Sequence, residues 1–148
     1  MNWEGFEEKM NSDFVIASHS LVLLANLPDH MANSDTIAEN VCTNPARVRK
    51  VMSALRKKGF VRTKEGIGGG YILNCNPEKT TLSQIYLAIS TGSLKPNWCT
   101  GDPDQKCIIS SNAQNVMDQI FYESEMHLQS YLNEITISSV LERIKSLE

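Results

Sequence analysis

Between Pro45 and Lys64 the chain carries eight basic residues, Arg47, Arg49, Lys50, Arg56, Lys57, Lys58, Arg62 and Lys64, and no Asp or Glu. Like charges set this densely repel one another, so the segment must lie on the surface and face something anionic. The whole chain holds 14 Lys and Arg against 17 Asp and Glu. The other 128 residues therefore carry 6 basic and 17 acidic groups, and a net charge of −3 conceals a strongly cationic block. Such a block predicts a surface for a polyanion, and double-stranded DNA suits it best.

The block rides on a helical frame. Val48, Val51, Met52 and Leu55 fall at i, i+3, i+4 and i+7 and make one apolar stripe. Lys50, Ser53 and Lys57 project on the opposite side, with Arg49 and Arg56 on one flank and Arg47 on the other. Asn44 is a good N-cap, Pro45 an ideal first helical residue, and Gly59 a left-handed terminator beyond Lys58. Upstream, Asn33-Ser34-Asp35 is a capping cluster in which Ser34 is the expected acceptor, followed by a short helix to about Val41 and a turn through Cys42 to Pro45. Two short helices about a tight turn predict a helix-turn-helix. Next, Phe60 to Lys64 alternates as a strand, Gly66-Ile67-Gly68-Gly69-Gly70 forms a tip, and Tyr71 to Leu73 returns. This is a basic hairpin, or wing. Its glycines lack the lysine of a phosphate-binding loop and open no helix, which argues against a nucleotide site.

The expected fold is therefore mainly α with a small β-hairpin wing, a winged helix-turn-helix with a long dimerisation helix. Thr43, Asn44, Ala46, Arg47 and Lys50 are the candidates nearest base edges, Arg49, Arg56, Lys57, Arg62 and Lys64 suit phosphates, and Ser34 is a further DNA-binding candidate. Gly68 and Gly69 let bare backbone approach a DNA strand.

The rest of the chain frames this head. Residues 1–9 carry little pattern. An apolar helix is expected from Asn11, Ser12 or Asp13 to Pro28, with His19 packed and hydrogen-bonded in the core. Thr80 or Thr81 caps a short helix from Leu82 to Ser90. A loop rich in Gly, Pro, Asn and Asp then runs from Thr91 to about Ser111 and holds Trp98, Cys99 and Cys107. A long helix follows from Ser111 or Asn112 to about Leu132. Its residues Ala113, Val116, Met117, Ile120, Phe121, Ser124, His127, Leu128 and Tyr131 repeat at 3–4 spacing. That is more apolar face than a small head covers, so a second copy of the chain is the expected partner. Thr136 caps a last helix, Ile137 to Lys145. The organisation reads as 10–78 for the DNA-binding head, 79–110 for a short helix and cysteine-bearing loop, and 111–148 for the dimerisation and terminal helices.

Several function classes fall away. No apolar run approaches the ~18 residues of a membrane span. Met1 to Met10 is polar and acidic, unlike a secretory leader. Four scattered cysteines, Cys42, Cys75, Cys99 and Cys107, are too few for a disulfide framework, so reduced thiols and a cytoplasmic setting are expected. His19, His30 and His127 show no ligand or triad spacing, and an enzyme is not expected.

The order of elements resembles the bacterial winged-helix regulators that include the iron–sulfur regulator IscR, the nitric-oxide-responsive NsrR and the cysteine-metabolism repressor CymR. It rests on NSDFVIASHSLVLLA, on SDTIAENVCTNPARVRKVMSALRKKGFV, on GIGGGYIL, on TLSQIYLAI and on the cysteine-bearing loop before a long helix. The resemblance implies a transcription regulator acting as a homodimer on a palindromic operator. It also implies an iron–sulfur cluster in members with three closely spaced loop cysteines. Here the loop has only Cys99 and Cys107, so no cofactor is expected; a cluster would have to recruit Cys42, Cys75 or a ligand that is not cysteine. Cys42 stands in the turn before the basic helix, where the helix dipole and Arg47 favour its thiolate. One reading makes it a sensing thiol with Cys99 or Cys107 as resolving partner, and another makes it a small filler of the turn. Cys75 reads as structural.

Overall fold

The computed structural model describes residues 4–90 and 94–148. The chain forms α1 (Glu4–Asn26), β1 (Met31–Ala32), α2 (Ser34–Val41), α3 (Pro45–Lys57), β2 (Val61–Lys64), β3 (Gly70–Leu73), α4 (Leu82–Ile89), α5 (Ile108–Leu132) and α6 (Ile137–Lys145). Local chemistry explains most of the ends. Asn44 Oδ1 accepts from the Arg47 amide at 2.8 Å, with Pro45 in the first turn of α3. At the other end the Gly59 amide donates to Arg56 and the Phe60 amide to Leu55, both at 3.0 Å, around a left-handed Gly59 (φ +84°). Thr81 and Gln84 close a reciprocal cap on α4, and Thr136 and Ser139 do the same on α6.

Four local expectations are corrected. Asn33, not Ser34, caps α2, its Oδ1 accepting from the Thr36 amide at 2.8 Å; Ser34 is already helical. The first helix begins at Glu4, so Ser12 and Asp13 lie within it rather than capping it. His19 is exposed, and its Nε2 pairs with Asn40 Oδ1 at 2.7 Å on α2 instead of entering the core. Finally, α5 starts at Ile108 with Cys107 as its N-cap, a turn earlier than Ser111. The hairpin has the expected strands, but β1 joins it. The antiparallel order is β1-β3-β2, with Ala32 opposite Tyr71 and Thr63 opposite Tyr71 from the other side. Two residues are too short to show a period, which is why β1 left no mark in the pattern.

One core holds the head together. Leu21 and Leu24 of α1, Ile37 of α2, Val48, Met52 and Leu55 of α3, Val61 of β2, Ile85 of α4 and Ile137 of α6 are all buried within it. The predicted stripe of α3 is the one that packs inward. The last helix thus belongs to the same core as the head, tied by Ile137 donating to the Thr80 carbonyl and Leu82 to that of Ile135. No residue of α5 enters that cluster among the described residues. Leu55→Ala removes a fully buried side chain from its centre. It is expected to cost about 2–5 kcal/mol in urea unfolding, with α3 losing its seat first.

Candidate nucleic-acid interface

Burying Val48, Val51, Met52 and Leu55 rotates the opposite face of α3 outward. Asn44, Ala46, Arg49, Lys50, Arg56 and Lys57 are exposed there, and Arg62, Lys64 and Gly68 are exposed on the hairpin. Thr43, Ser34 and Gly69 are partly covered. The two cationic elements face one another across a cleft of about 540 Å³, lined by Asn33 and Ser34 at the head of α2, Ser53 and Arg56 of α3, and Thr63 and Lys64 of β2. Nine of the thirteen candidate DNA residues are therefore exposed.

Arg47 is the exception. Its Nε and Nη2 both donate to Asp13 Oδ1 at 3.3 Å, and the side chain is about one-third exposed. This partly exposed pair fastens α3 to α1. It is worth under ~1 kcal/mol by itself, but it draws the guanidinium back from the outer face. Nothing in the sequence pattern links positions 34 residues apart, so Asp13 escaped notice.

Cys42 falls in the turn between α2 and α3, where the sequence places it. Cys42 is the C-cap of α2 in the left-handed region (φ +65°), and its thiol donates to the Glu39 carbonyl at 3.6 Å. It therefore lies at the carbonyl end of α2, while Asn44 takes the amide end of α3. The helix-start thiol is instead Cys107. The Ser110 and Ile109 amides hold it below the usual thiol range. Burial pushes the Cys75 thiol up, partly offset by a hydrogen bond with Thr80. Cys42, Cys99 and Cys107 are exposed, and all four thiols are free. In an alkylation series followed by peptide mass spectrometry, Cys107 is expected to label at a lower pH than Cys75. The reverse order would contradict the helix-start assignment.

The loop from Leu94 to Cys107 is strapped along one side of α5, a feature sequence reading missed. Leu94 donates its amide to Glu125 Oε2 at 3.2 Å, Lys95 pairs with Asp118 at 2.7 Å, and Thr100 donates its amide to Gln114 Oε1 at 2.6 Å. Gln114, Asp118 and Glu125 are spaced to share a helix face. From α4, the buried Tyr86 donates its hydroxyl to the other Glu125 oxygen at 2.5 Å. Burial first, then Glu125, pushes that phenol up to about 12. The hydrogen bond with Asp118 holds the Lys95 ammonium above its usual range, and the same bond holds the Asp118 carboxyl below its own. On the far side of α5, Ile109, Val116, Ile120 and Tyr131 stand exposed at roughly half or more of their surface.

A cluster would need thiolates that converge. Among the described residues no three His, Cys, Asp or Glu side chains are grouped to hold a metal. The loop offers two exposed thiols, Cys99 and Cys107. No helix is long and apolar enough to cross a membrane among the described residues.

Comparison with known proteins agrees with the geometry. The chain is 26% identical to a Bacillus subtilis protein named as an HTH-type transcriptional regulator, YwnA, over 91% of this chain and 98% of that one. A crystal structure described as a transcriptional regulator from Lactobacillus plantarum superposes with a TM-score of 0.73 at 21% identity, covering 92% of this chain and 98% of the other. IscR from T. potens superposes with a TM-score of 0.67 at 20% identity, covering 92% and 88%. A family model described as "Rrf2: Iron-dependent Transcriptional regulator" matches residues 10–143. With a winged head whose recognition helix turns a cationic face to solvent, and with that match over nearly its whole length, the chain belongs to the Rrf2 family of DNA-binding transcriptional regulators and is not an enzyme.

Proposed function

We propose that this chain works in the cytoplasm as a homodimeric repressor that grips a palindromic operator, with α3 of each copy in a major groove. The observation that carries the dimer is the uncovered stripe Ile109, Val116, Ile120 and Tyr131 on α5. A helix of 25 residues that buries only Leu132 in its own chain leaves this stripe for a twin. Asn44, Ala46 and Lys50, with Thr43 and Ser34 behind them, read base edges. Arg49, Arg56, Lys57, Arg62, Lys64 and the Gly68-Gly69 backbone hold phosphates. Arg47 sets the angle of α3 through Asp13 and reaches DNA only on leaving that partner.

The regulatory part of the reading assigns control to thiol oxidation without a resident cluster. Cys42, Cys99 and Cys107 are the exposed thiols open to an oxidant, and Cys107 is the one held toward thiolate. The test is a gel shift against duplexes selected from a random pool, run with reduced and with peroxide-treated protein beside a non-reducing gel. Release of the duplex together with a new disulfide supports the reading. Unchanged binding in both states removes the thiol control and leaves DNA binding standing.

A further inference from the structure

At the end of the wing, the tip from Glu65 to Gly69 carries no base, one acid and one large side chain, Ile67, which is fully exposed. Electrostatics cannot be what this tip offers DNA, since its only charge is the wrong sign for a phosphate. A lone exposed isoleucine is ordinary on a protein surface. This one differs in being held out. Gly68 takes a left-handed turn (φ +77°), and a Cβ on Gly69 would lie 2.0 Å from the Lys64 carbonyl oxygen. Beyond Glu65 at its foot, the turn is thus glycine except at its apex, slim enough for the ~6 Å minor groove.

Its place relative to the cationic cleft decides what it meets. Ser53 and Arg56 of α3 line one wall of the cleft, and Thr63 and Lys64 of β2 with Glu65 and Gly66 of the tip line the other. A DNA backbone seated between these walls has the major groove on the α3 side and the minor groove on the hairpin side. Resting on the DNA-binding reading above, we infer that Ile67 enters the adjacent minor groove as an apolar wedge and partly unstacks the base step beneath it. Unstacking is easiest at pyrimidine–purine steps, so the wing selects TA or CA/TG at a fixed distance from the bases under α3 without a hydrogen bond to either.

The test uses full-length protein and the duplex it selects from a random pool, with 2-aminopurine placed at the step under the wing. The wild-type protein is expected to brighten the probe. Ile67→Ser should bind about tenfold more weakly, as expected for losing one apolar contact of this size. It should also leave the probe dim and keep the same salt dependence, because no charge changes. Ile67→Leu should restore both affinity and brightness. Since Ile67 packs on nothing, folding is not at stake. Equal binding and equal fluorescence for Ile67→Ser overturn the wedge while the DNA reading survives. Failure of the wild-type protein to select any duplex overturns both.

Discussion

Replacing Arg49, Arg56 and Lys57 together by alanine is expected to weaken duplex binding by at least about 10³-fold at moderate salt and to flatten its salt dependence. All three side chains are exposed on the outer face of α3, opposite or beside the buried stripe. Their removal costs the core nothing, so unfolding should shift little. Each one that meets a phosphate releases a counterion, and three per copy make six per dimer. The slope of log affinity against log salt should then fall by about 5. Non-specific and selected duplexes should lose affinity in parallel, since phosphate contacts carry no sequence. Lys50→Ala is the contrasting variant: a loss of preference at one base pair exceeds its loss of overall affinity. Measurement by fluorescence anisotropy across a salt series separates the two. A triple variant whose slope equals that of the wild type would show that these charges face solvent only.

The second large effect concerns Ile120→Asp on α5. Ile120 is about half exposed in a single copy and lies between Val116 and Tyr131 on the stripe opposite the loop-bearing face. Facing its own twin, each aspartate would be buried without a partner, which costs several kcal/mol per interface. A penalty of ~4 kcal/mol weakens the dimer about 10³-fold. Duplex binding then falls by about 10²–10⁴, because a single head meets one half-site and loses the advantage of linkage. The monomer should keep its circular dichroism and its cooperative unfolding, as no α5 residue belongs to the head's core cluster. Sedimentation velocity reads the result. A variant that sediments with the wild type and binds equally would mean that something else covers this face.

How much of this was visible beforehand follows from the range of each interaction. The stripe of α3, the Asn44-Pro45 start, the Gly59 stop and the hairpin rest on contacts within a few residues, and periodicity or turn chemistry exposes them directly. The capping of α2 was displaced by one residue because Asn33 and Ser34 are both good caps, and only the bond to Thr36 distinguishes them. Cys42 falls in the turn that its neighbours predict, between Val41 and Pro45. The left-handed φ it takes there has no signature in a cysteine. The early start of α5 hid behind Ser110-Ser111-Asn112, a cluster that itself reads as a helix cap. Long-range partnerships left no trace at all. Asp13 with Arg47, Tyr86 with Glu125 and Lys95 with Asp118 join positions 23 or more residues apart through ordinary side chains that carry no motif. The exposed apex Ile67 lay inside a glycine run noted for its backbone, and its burial state became readable only with the turn in three dimensions.

The measurement closest to the centre of the account is the mass of the complex formed with a selected duplex, followed by native mass spectrometry or sedimentation while salt is raised from 50 to 200 mM. Two chains on one duplex are expected, with an affinity that drops by roughly 10³–10⁵ over that range for ~6–10 phosphates neutralised. One chain per duplex, or binding indifferent to salt, would contradict a paired cationic helix as the means by which this protein holds DNA.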